Sequence, residues 1–172
     1  MRETRSAGIH YCIRSSRLGR MLVAGTTRGV CFVRFGTRDA DLVRLLEVEF
    51  AFGVCARARS GSVSEWASRL VGYVDGRSEV VDVPLDVRGS RFQKRVWSAL
   101  AKIPRGQTRA YSEVAAAIGA PRAARAVANA CASNPVLVLT PCHRVIEKGG
   151  GLGGYAAGVR RKAALLASER GG

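Results

Sequence analysis

The residues best suited to chemistry in this sequence are Cys142 and His143, which stand side by side in TPCHRVIEK (140–148). A cysteine attacks as its thiolate, and at an ordinary pKa of about 8.5 only a few per cent of a thiol is ionised at neutral pH. A neighbouring base, oriented by a carboxylate such as Glu169, would complete a nucleophilic triad. Adjacent residues of an extended chain point to opposite sides, so this pair needs a local bend or a bridging water. Adjacency alone also fits a buried, unreactive cysteine, which is the common fate of a free cysteine.

Charge gives the first indication of a partner. The 172 residues carry a formal net charge of +15. The excess is uneven, with 15 basic and 4 acidic side chains over 85–172 against 13 and 9 over 1–84. Neutralising phosphates releases counterions, so a basic excess in one half predicts a polyanion, and nucleic acid in particular.

Other function classes are disfavoured. The five cysteines form no C-x-x-C pair, and only two histidines accompany them, so we expect neither a disulfide scaffold nor a metal site. The glycine-rich run GGGLGGY (149–155) lacks the order of a phosphate-binding loop, and we expect no cofactor. The sequence has no signal-peptide core and no apolar run of membrane-spanning length, which predicts a cytoplasmic protein without a membrane partner.

The first half alternates strand and helix patterns. The strands are predicted at 20–25 and 30–35, and the helices at 39–52 and 62–74. An extended run, 80–90, contains Pro84 and Gly89 and suits a linker. We therefore expect an N-terminal domain over 1–84, a linker over 85–90 and a second domain over 91–172.

The second half is predicted to be mainly helical. An amphipathic helix is expected at 91–103, which Pro104 ends, and further helices are expected at 111–119, 122–134 and 159–169. Two of them flank a glycine-containing turn, which is the helix-turn-helix pattern. The second helix of that pair is rich in alanine around Arg125, which fits either tight packing or close approach to a minor groove about 6 Å wide. The apolar run 136–140 predicts a buried strand or core segment.

Longer stretches resemble a known family. NPVLVLTPCHRVI (134–146), followed by GGGLGGY and GVRRKAALLASE, is similar to the O-6-alkylguanine-DNA alkyltransferases (methylated-DNA–protein-cysteine methyltransferases) of bacterial type. FQKRVWSALAKIPRGQTRAYSEVAAAIGAPRAARAVANACASN (92–134) matches the same family in order and spacing. The resemblance implies an α/β fold, with a small ribonuclease-H-like N-terminal domain and a mainly helical, winged-helix-like C-terminal domain holding the helix-turn-helix.

The implied function is direct-reversal DNA repair by a single-turnover, suicide methyltransferase. The alkyl group of O-6-alkylguanine, with O-4-alkylthymine as a further candidate, would pass irreversibly to Cys142 after base flipping. His143 would act as the base through a water, and Glu169 would hold its imidazole. Asn134 would brace the cysteine segment, and Tyr111 would donate to the guanine as negative charge develops on its ring.

The resemblance also implies two groups of binding residues. The DNA-binding group, with Arg125 entering the duplex in place of the flipped nucleotide, is Arg125, Ala124, Ala126 and Arg144. The group forming the substrate pocket is Tyr111, Val145, Tyr155 and Ala156. The partner would be double-stranded DNA containing O-6-alkylguanine, bound by a protein that is a monomer in solution; cooperative binding on DNA stays open.

Two departures and two rival functions stay open. The chain has Ala110 where the family often has Ser, and Ala156 and Ala157 where it often has bulky residues, so the preferred alkyl size is undetermined. One rival is a helix-turn-helix regulator in which Cys142 is structural, and the other is a hydrolase that uses the Cys-His pair.

Overall fold

Strands come first along the chain, and helices dominate its second half. The computed structural model describes residues 8–51 and 55–171. Phe52, the last residue of one predicted helix, lies outside the described residues, as do 1–7 and 172 at the ends of the two predicted domains. The chain divides into two compact units after Val87. No helix among the described residues is long and apolar enough to cross a membrane.

The described residues of the first unit form one four-stranded sheet and two helices. Their bounds are β1 Ile9–Ser16, β2 Gly19–Thr26, β3 Gly29–Gly36, α1 Asp39–Glu49, β4 Cys55–Arg57 and α2 Ser62–Val74. The strand order is β3-β2-β1-β4, with antiparallel pairing from β1 to β3 and parallel pairing of β1 with β4. The strands β1 and β4 were not predicted, because polar residues interrupt the first and the second has only three residues.

Alternation along the strands builds the core of this unit. Successive side chains of a strand point to opposite faces, so every second residue of β1 and β2 can reach one helix layer. One resulting cluster joins the sheet to α1, and its buried members are Ile9, Ile13, Leu22, Ala24, Cys31, Phe32, Leu42 and Leu46. The helix α2 packs on β1 and β2.

The segment that follows Pro84 is part of the first unit. The Val30 N–H donates to Pro84 O (2.8 Å), and the Asp86 N–H donates to Val30 O (2.9 Å). Thr26 Oγ1 donates to the Asp86 carboxylate (2.6 Å), and Arg28 pairs with it (3.0 Å). These bonds hold Leu85 and Asp86 on β3, where the sequence predicted the start of a free linker.

In the part of the second unit that the structure describes, there are four α-helices and one short parallel strand pair. Their bounds are α3 Arg91–Leu100, β5 Arg109–Ala110, α4 Tyr111–Ala117, α5 Ala124–Ala132, β6 Val145–Ile146 and α6 Val159–Arg170. The helix α3 packs against α4 and α5, and Trp97 Nε1 donates to Ala130 O (2.8 Å). The predicted α/β class, with a sheet in the first half and mainly helices in the second, is confirmed.

The turn between α4 and α5 needs a glycine. Gly119 has φ of 70°, a left-handed conformation that glycine adopts without steric cost, and its N–H donates to Ala116 O (2.9 Å). The two helices pack against each other, as a helix-turn-helix requires. Both are shorter than predicted, because residues 118–123 form the connection.

The apolar run 136–140 is a turn and not a strand. The Thr140 N–H donates to Val136 O (3.0 Å), and Val138 has φ of 74°. A β-branched residue in the left-handed region is strained and persists only where its surroundings impose it. Of the two alternatives left open, a buried strand or a core segment, the structure has the core segment, since Val136, Leu137 and Val138 are all buried.

A capping box starts α3. Ser90 Oγ accepts from the Gln93 N–H (3.2 Å), and Gln93 Oε1 accepts from the Ser90 N–H (2.8 Å). We expect Ser90→Ala to lower the free energy of unfolding by about 1 kcal/mol, because the first turn loses its cap. Chemical denaturation measures this change. Ser98→Ala, at an exposed position of the same helix, serves as the control, and an equal loss in both variants would contradict the capping role.

Candidate active site

Cys142 begins a single 3₁₀ turn, Cys142–Arg144, that leads directly into β6. The Cys142 N–H donates to Thr140 O (2.8 Å), and the Arg144 N–H donates to Pro141 O (3.0 Å). The turn supplies the local bend that the sequence required of an adjacent Cys-His pair. The cysteine is only 3% exposed, and what remains accessible faces a cavity.

Asn134 connects the cysteine to the strained turn that precedes it. It is fully buried, and its Nδ2 donates to both Thr140 O (2.8 Å) and Cys142 Sγ (3.2 Å). Its Oδ1 accepts from the Val136 N–H (3.0 Å). A hydrogen bond to sulfur stabilises a thiolate more than a thiol, so this side chain both fixes Cys142 and favours its reactive form.

His143 is buried behind the cysteine on a carboxylate. Its Nε2 lies 2.8 Å from Glu169 Oε1, and the ring is fully buried. Burial lowers the pKa of His143, and the hydrogen bond and charge of Glu169 offset only part of that effect. The imidazole is therefore neutral near neutral pH.

The hydrogen bonds of His143 assign its tautomer. Because Glu169 is an ionised acceptor, the ring proton belongs on Nε2, which leaves a lone pair on Nδ1. Within residues 8–51 and 55–171, no atom is hydrogen-bonded to Nδ1. His143, next to Cys142 in the chain, therefore has a buried nitrogen, Nδ1, that can accept a proton.

Glu169 is held as an anion inside the protein. Burial alone would raise its pKa, but the hydrogen bonds from His143 and Arg144 outweigh burial and hold the pKa well below its ordinary value. Arg144 donates through Nε to Oε2 (3.0 Å) and through an Nη to Oε1 (2.9 Å), and Gly106 N donates to Oε2 (3.3 Å). The carboxylate is 2% exposed.

This geometry corrects the predicted role of Arg144. The side chain was expected to contact DNA, yet it is 10% exposed, and Glu169 and Ile103 O (2.7 Å from Nη1) accept its hydrogen bonds. A guanidinium paired in this way holds the site together and has little surface to offer a phosphate.

A cavity of about 410 Å³ opens beside the cysteine. Its lining residues are Tyr111, Ala128, Asn129, Cys131, Ala132, Cys142, Gly154, Tyr155 and Ala156. The predicted pocket residues Tyr111, Tyr155 and Ala156 are among them. Val145 is not part of this described lining; it is fully buried, and its carbonyl oxygen accepts a hydrogen bond from a lysine.

One hydroxyl group and one thiol group of the cavity, those of Tyr111 and Cys131, stay protonated near neutral pH. Burial raises the pKa of Tyr111 to about 12, with charge on Cys131, Cys142 and Glu147 acting in the same direction. Burial likewise raises the pKa of Cys131 to about 12, and the nearby Cys142 adds to that effect. Tyr111 is therefore a hydrogen-bond donor across the physiological range, and Cys131 is an unreactive thiol.

Lys162 is the residue that sequence reasoning missed. It is fully buried in α6, and its Nζ donates to Val145 O (2.6 Å), Leu152 O and Gly154 O (3.4 Å). Burial lowers its pKa, and charge on Cys142, Cys131 and Glu147 opposes that shift. The ammonium thus fastens the glycine-rich loop 149–155 to β6, and it lies 5.9 Å from the centre of the Tyr111 ring.

The spacing of Lys162 from other residues of its helix indicates that it is buried. The buried residues of α6 are Lys162, Leu165, Leu166 and Glu169, which recur at i, i+3, i+4 and i+7 and so share one face. A lysine and a glutamate in phase with two leucines indicate buried charges and not a solvated surface.

The helix α5, which the sequence predicted to contact DNA, exposes one cation near its start. Arg125 and Ala126 are exposed and Ala124 is half-buried at the start of α5, while Val127 and Ala130 are buried. Small residues therefore surround one exposed cation.

No group of three or more His, Cys, Asp or Glu side chains in the described part of the chain could hold a metal ion.

Comparison with known proteins identifies the family. The model of the 6-O-methylguanine DNA methyltransferase DNA-binding domain matches residues 91–171. Ada of Escherichia coli, a bifunctional transcriptional activator and DNA repair enzyme, is 41% identical over 94% of this chain, which spans only 45% of that protein's length. The inducible methylated-DNA–protein-cysteine methyltransferase of Bacillus subtilis is 35% identical over 98% of this chain and 94% of that protein.

A solved structure agrees with these sequence relatives. Mycobacterium tuberculosis OGT, in complex with DNA, has a TM-score of 0.79 at 38% identity, over 94% of this chain and 93% of that one. The chain belongs to the methylated-DNA–protein-cysteine methyltransferase family, and the resemblance drawn from its sequence is confirmed.

Loss of the buried ammonium tests its role in the loop. We expect Lys162→Met to lower the free energy of unfolding by about 2 kcal/mol, because three backbone oxygens lose their donor. Faster hydrogen exchange in 149–155 should accompany the loss. Arg160→Met, at an exposed position of the same helix, is the control and should leave both measurements unchanged. Unchanged exchange in the lysine variant would contradict the proposed link.

The buried carboxylate predicts a particular acid dependence. Because the pKa of Glu169 is lowered by folding, its contribution to stability is fully present above its ordinary pKa of 4.5 and is lost as the pH falls below that value. We expect Glu169→Gln to be less stable than wild type at neutral pH and to have a flatter pH dependence below pH 4.5. Denaturation across a pH series measures both, and Glu147→Gln, which changes an exposed carboxylate, should retain the wild-type slope.

Proposed function

We propose that this chain repairs DNA directly, by transferring the alkyl group of O-6-alkylguanine in duplex DNA to Sγ of its own Cys142. The observation that carries the proposal is that Cys142 and Tyr111, which is protonated near neutral pH, line the same cavity, with a neutral, carboxylate-oriented histidine next in the chain to the cysteine. Membership of the methylated-DNA–protein-cysteine methyltransferase family supports the same reaction.

The proposed reaction begins with formation of the thiolate. The Cys142 thiol proton passes through a water to the free Nδ1 of His143, and the Glu169 anion stabilises the imidazolium that forms. Asn134 donates to the sulfur and supports the charge on it. This sequence uses the histidine as a base and the carboxylate as the group that orients it.

Displacement then occurs at the saturated carbon of the alkyl group. The sulfur–carbon bond forms as the bond from that carbon to guanine O-6 breaks, and negative charge develops on the guanine ring. Tyr111 donates a hydrogen bond to that charge. The guanine finally takes up one proton, which balances the proton that Cys142 lost. The product is a thioether, so each molecule acts once.

Access to the alkyl group requires base flipping. The target atom is unreachable inside the stacked duplex, and extruding the nucleotide costs on the order of a few kcal/mol. We propose that Arg125 fills the gap in the duplex, while the small residues around it let α5 lie close to the minor groove. Exposed cations next to α5, such as Arg122, supply phosphate contacts to this duplex.

The proposal also covers the partner, the oligomeric state, the compartment and further substrates of the protein. DNA is the partner, as the family's DNA-binding domain over 91–171 and the DNA complex of the mycobacterial relative support. We propose that the protein acts as a monomer in the cytoplasm. Ala156 in the cavity lining leaves room beside the base, so alkyl groups larger than methyl, and O-4-alkylthymine, are candidate substrates.

Intact-mass spectrometry after mixing the protein with a duplex that contains one O-6-methylguanine tests the reaction. We expect one added methyl group per protein, and peptide mapping should assign it to Cys142. Cys142→Ser should gain no mass, whereas Cys131→Ser, which changes the other cysteine of the cavity, should still be methylated.

Other outcomes would select the rival functions. Tight binding of the duplex without a mass change would leave a helix-turn-helix binding protein with a structural cysteine. Repeated turnover of an ester or peptide without lasting modification would indicate a hydrolase. Either result would reject alkyl transfer to Cys142.

A further inference from the structure

One side of α3 carries positive charge that the repair reaction does not use. Arg91, Lys94, Arg95 and Lys102 are all exposed along this helix and its C-terminal extension. At 3.6 residues per turn, Arg91, Arg95 and Lys102 lie within about 40° of one another around the helix axis, with Lys94 to one side. The eleven residue-to-residue steps from Arg91 to Lys102 cover about 16 Å along the axis.

These cations border a groove between α3 and the end of α4. A cavity of about 470 Å³ is lined by Arg91, Lys94, Arg95, Ser98, Ala99, Lys102, Ala117 and Ile118. It adjoins a second cavity of about 280 Å³ that shares Ala99, Lys102 and Ala117 with the first and adds Arg109. We call the two together the α3–α4 groove. Its small residues let a ligand backbone approach the helices closely.

Negative charge does not balance this groove. In the described part of the chain, none of its cations forms an ion pair with a carboxylate. Arg95 donates to Ile118 O, which keeps it at the edge of the groove. The one acidic residue in the lining, Glu113, accepts from the Ala110 N–H (2.5 Å). Clustered cations repel one another, and a phosphate backbone relieves that repulsion while releasing counterions.

The groove faces away from the helix proposed to bind damaged DNA. Gln93 and Trp97 contact the α5 side, through Ser133 Oγ (2.9 Å) and Ala130 O (2.8 Å). Arg91, Arg95 and Lys102 lie about 160–180° around α3 from Gln93. A duplex seated on the exposed side of α5 would therefore leave the groove uncovered.

We propose that the α3–α4 groove binds the phosphodiester backbone of a second DNA duplex while α5 holds the first. The inference rests on the proposed function only in taking α5 as the first DNA-binding surface. The length of the groove matches about five phosphate positions of one strand, at about 3.4 Å each along the duplex axis. Two surfaces on opposite sides of one unit would let the protein pass between duplex segments without dissociating into solution.

The test compares two variants of equal charge. The groove variant is Arg91→Gln/Lys94→Gln/Lys102→Gln, which spares Arg95 because of its bond to α4. The control variant, Arg17→Gln/Arg44→Gln/Arg59→Gln, removes three exposed arginines of the first unit. Sedimentation with a large excess of a short undamaged duplex at low salt gives the number of duplexes per protein, and methylation by the damaged duplex reports the reaction separately.

We expect two duplexes per protein for wild type and for the control variant, and one for the groove variant. Methylation rates on a short duplex should agree within about twofold, since each removed cation lies off the α5 surface. The proposal is overturned if wild type binds only one duplex or if the groove variant still binds two. It is also overturned if the groove variant loses affinity for its first duplex with a salt slope lowered by about three, because the groove would then contact that same duplex. Absence of methylation with two duplexes bound would reject the repair function alone.

Discussion

A buried carboxylate organises the reactive half of this protein. Glu169, near the end of α6, receives hydrogen bonds from His143, from Arg144 and from the backbone of Gly106. A charge buried without partners costs several kcal/mol, so this anion is tolerated only when all three segments are in place. The same contacts fix the histidine ring and its tautomer beside Cys142. The contacts that stabilise this anion in the folded unit therefore also orient the base.

A second buried charge complements the first. Lys162 lies on the buried face of the same helix. Its ammonium donates hydrogen bonds to three backbone oxygens, one in β6 and two in the glycine-rich loop. The helix α6 thus carries an anion that holds the base and a cation that holds the cavity wall. Removing a buried ion leaves its partners unsatisfied and is destabilising, and the paired groups impose a definite geometry, which the proposed fit of an alkylated base would require.

The cysteine segment stores strain between these two charges. Val138 adopts a left-handed conformation that a valine avoids elsewhere, and Asn134 spans the turn from Val136 to the sulfur. Strain of this kind persists only where the surroundings over-determine the backbone. Asn134 makes three hydrogen bonds that hold this conformation. They explain why an apolar run that also suits a strand folds as a turn.

The sequence by itself determined the elements with strong local signals. Periodicity, cap residues and turn signals placed the helices α1 to α6 to within a few residues. The PCHR motif with its flanking stretches indicated the family and the His143–Glu169 pair. Tertiary structure decided what depends on contacts between distant residues. The short strand β4 forms only by pairing with β1, Arg144 turns inward because Glu169 needs a cation, and Lys162 becomes buried because loop carbonyls converge on it. Local patterns report the propensity of a segment, whereas the partner of a buried charge is set by chain segments far apart in sequence, and only the folded protein brings them together.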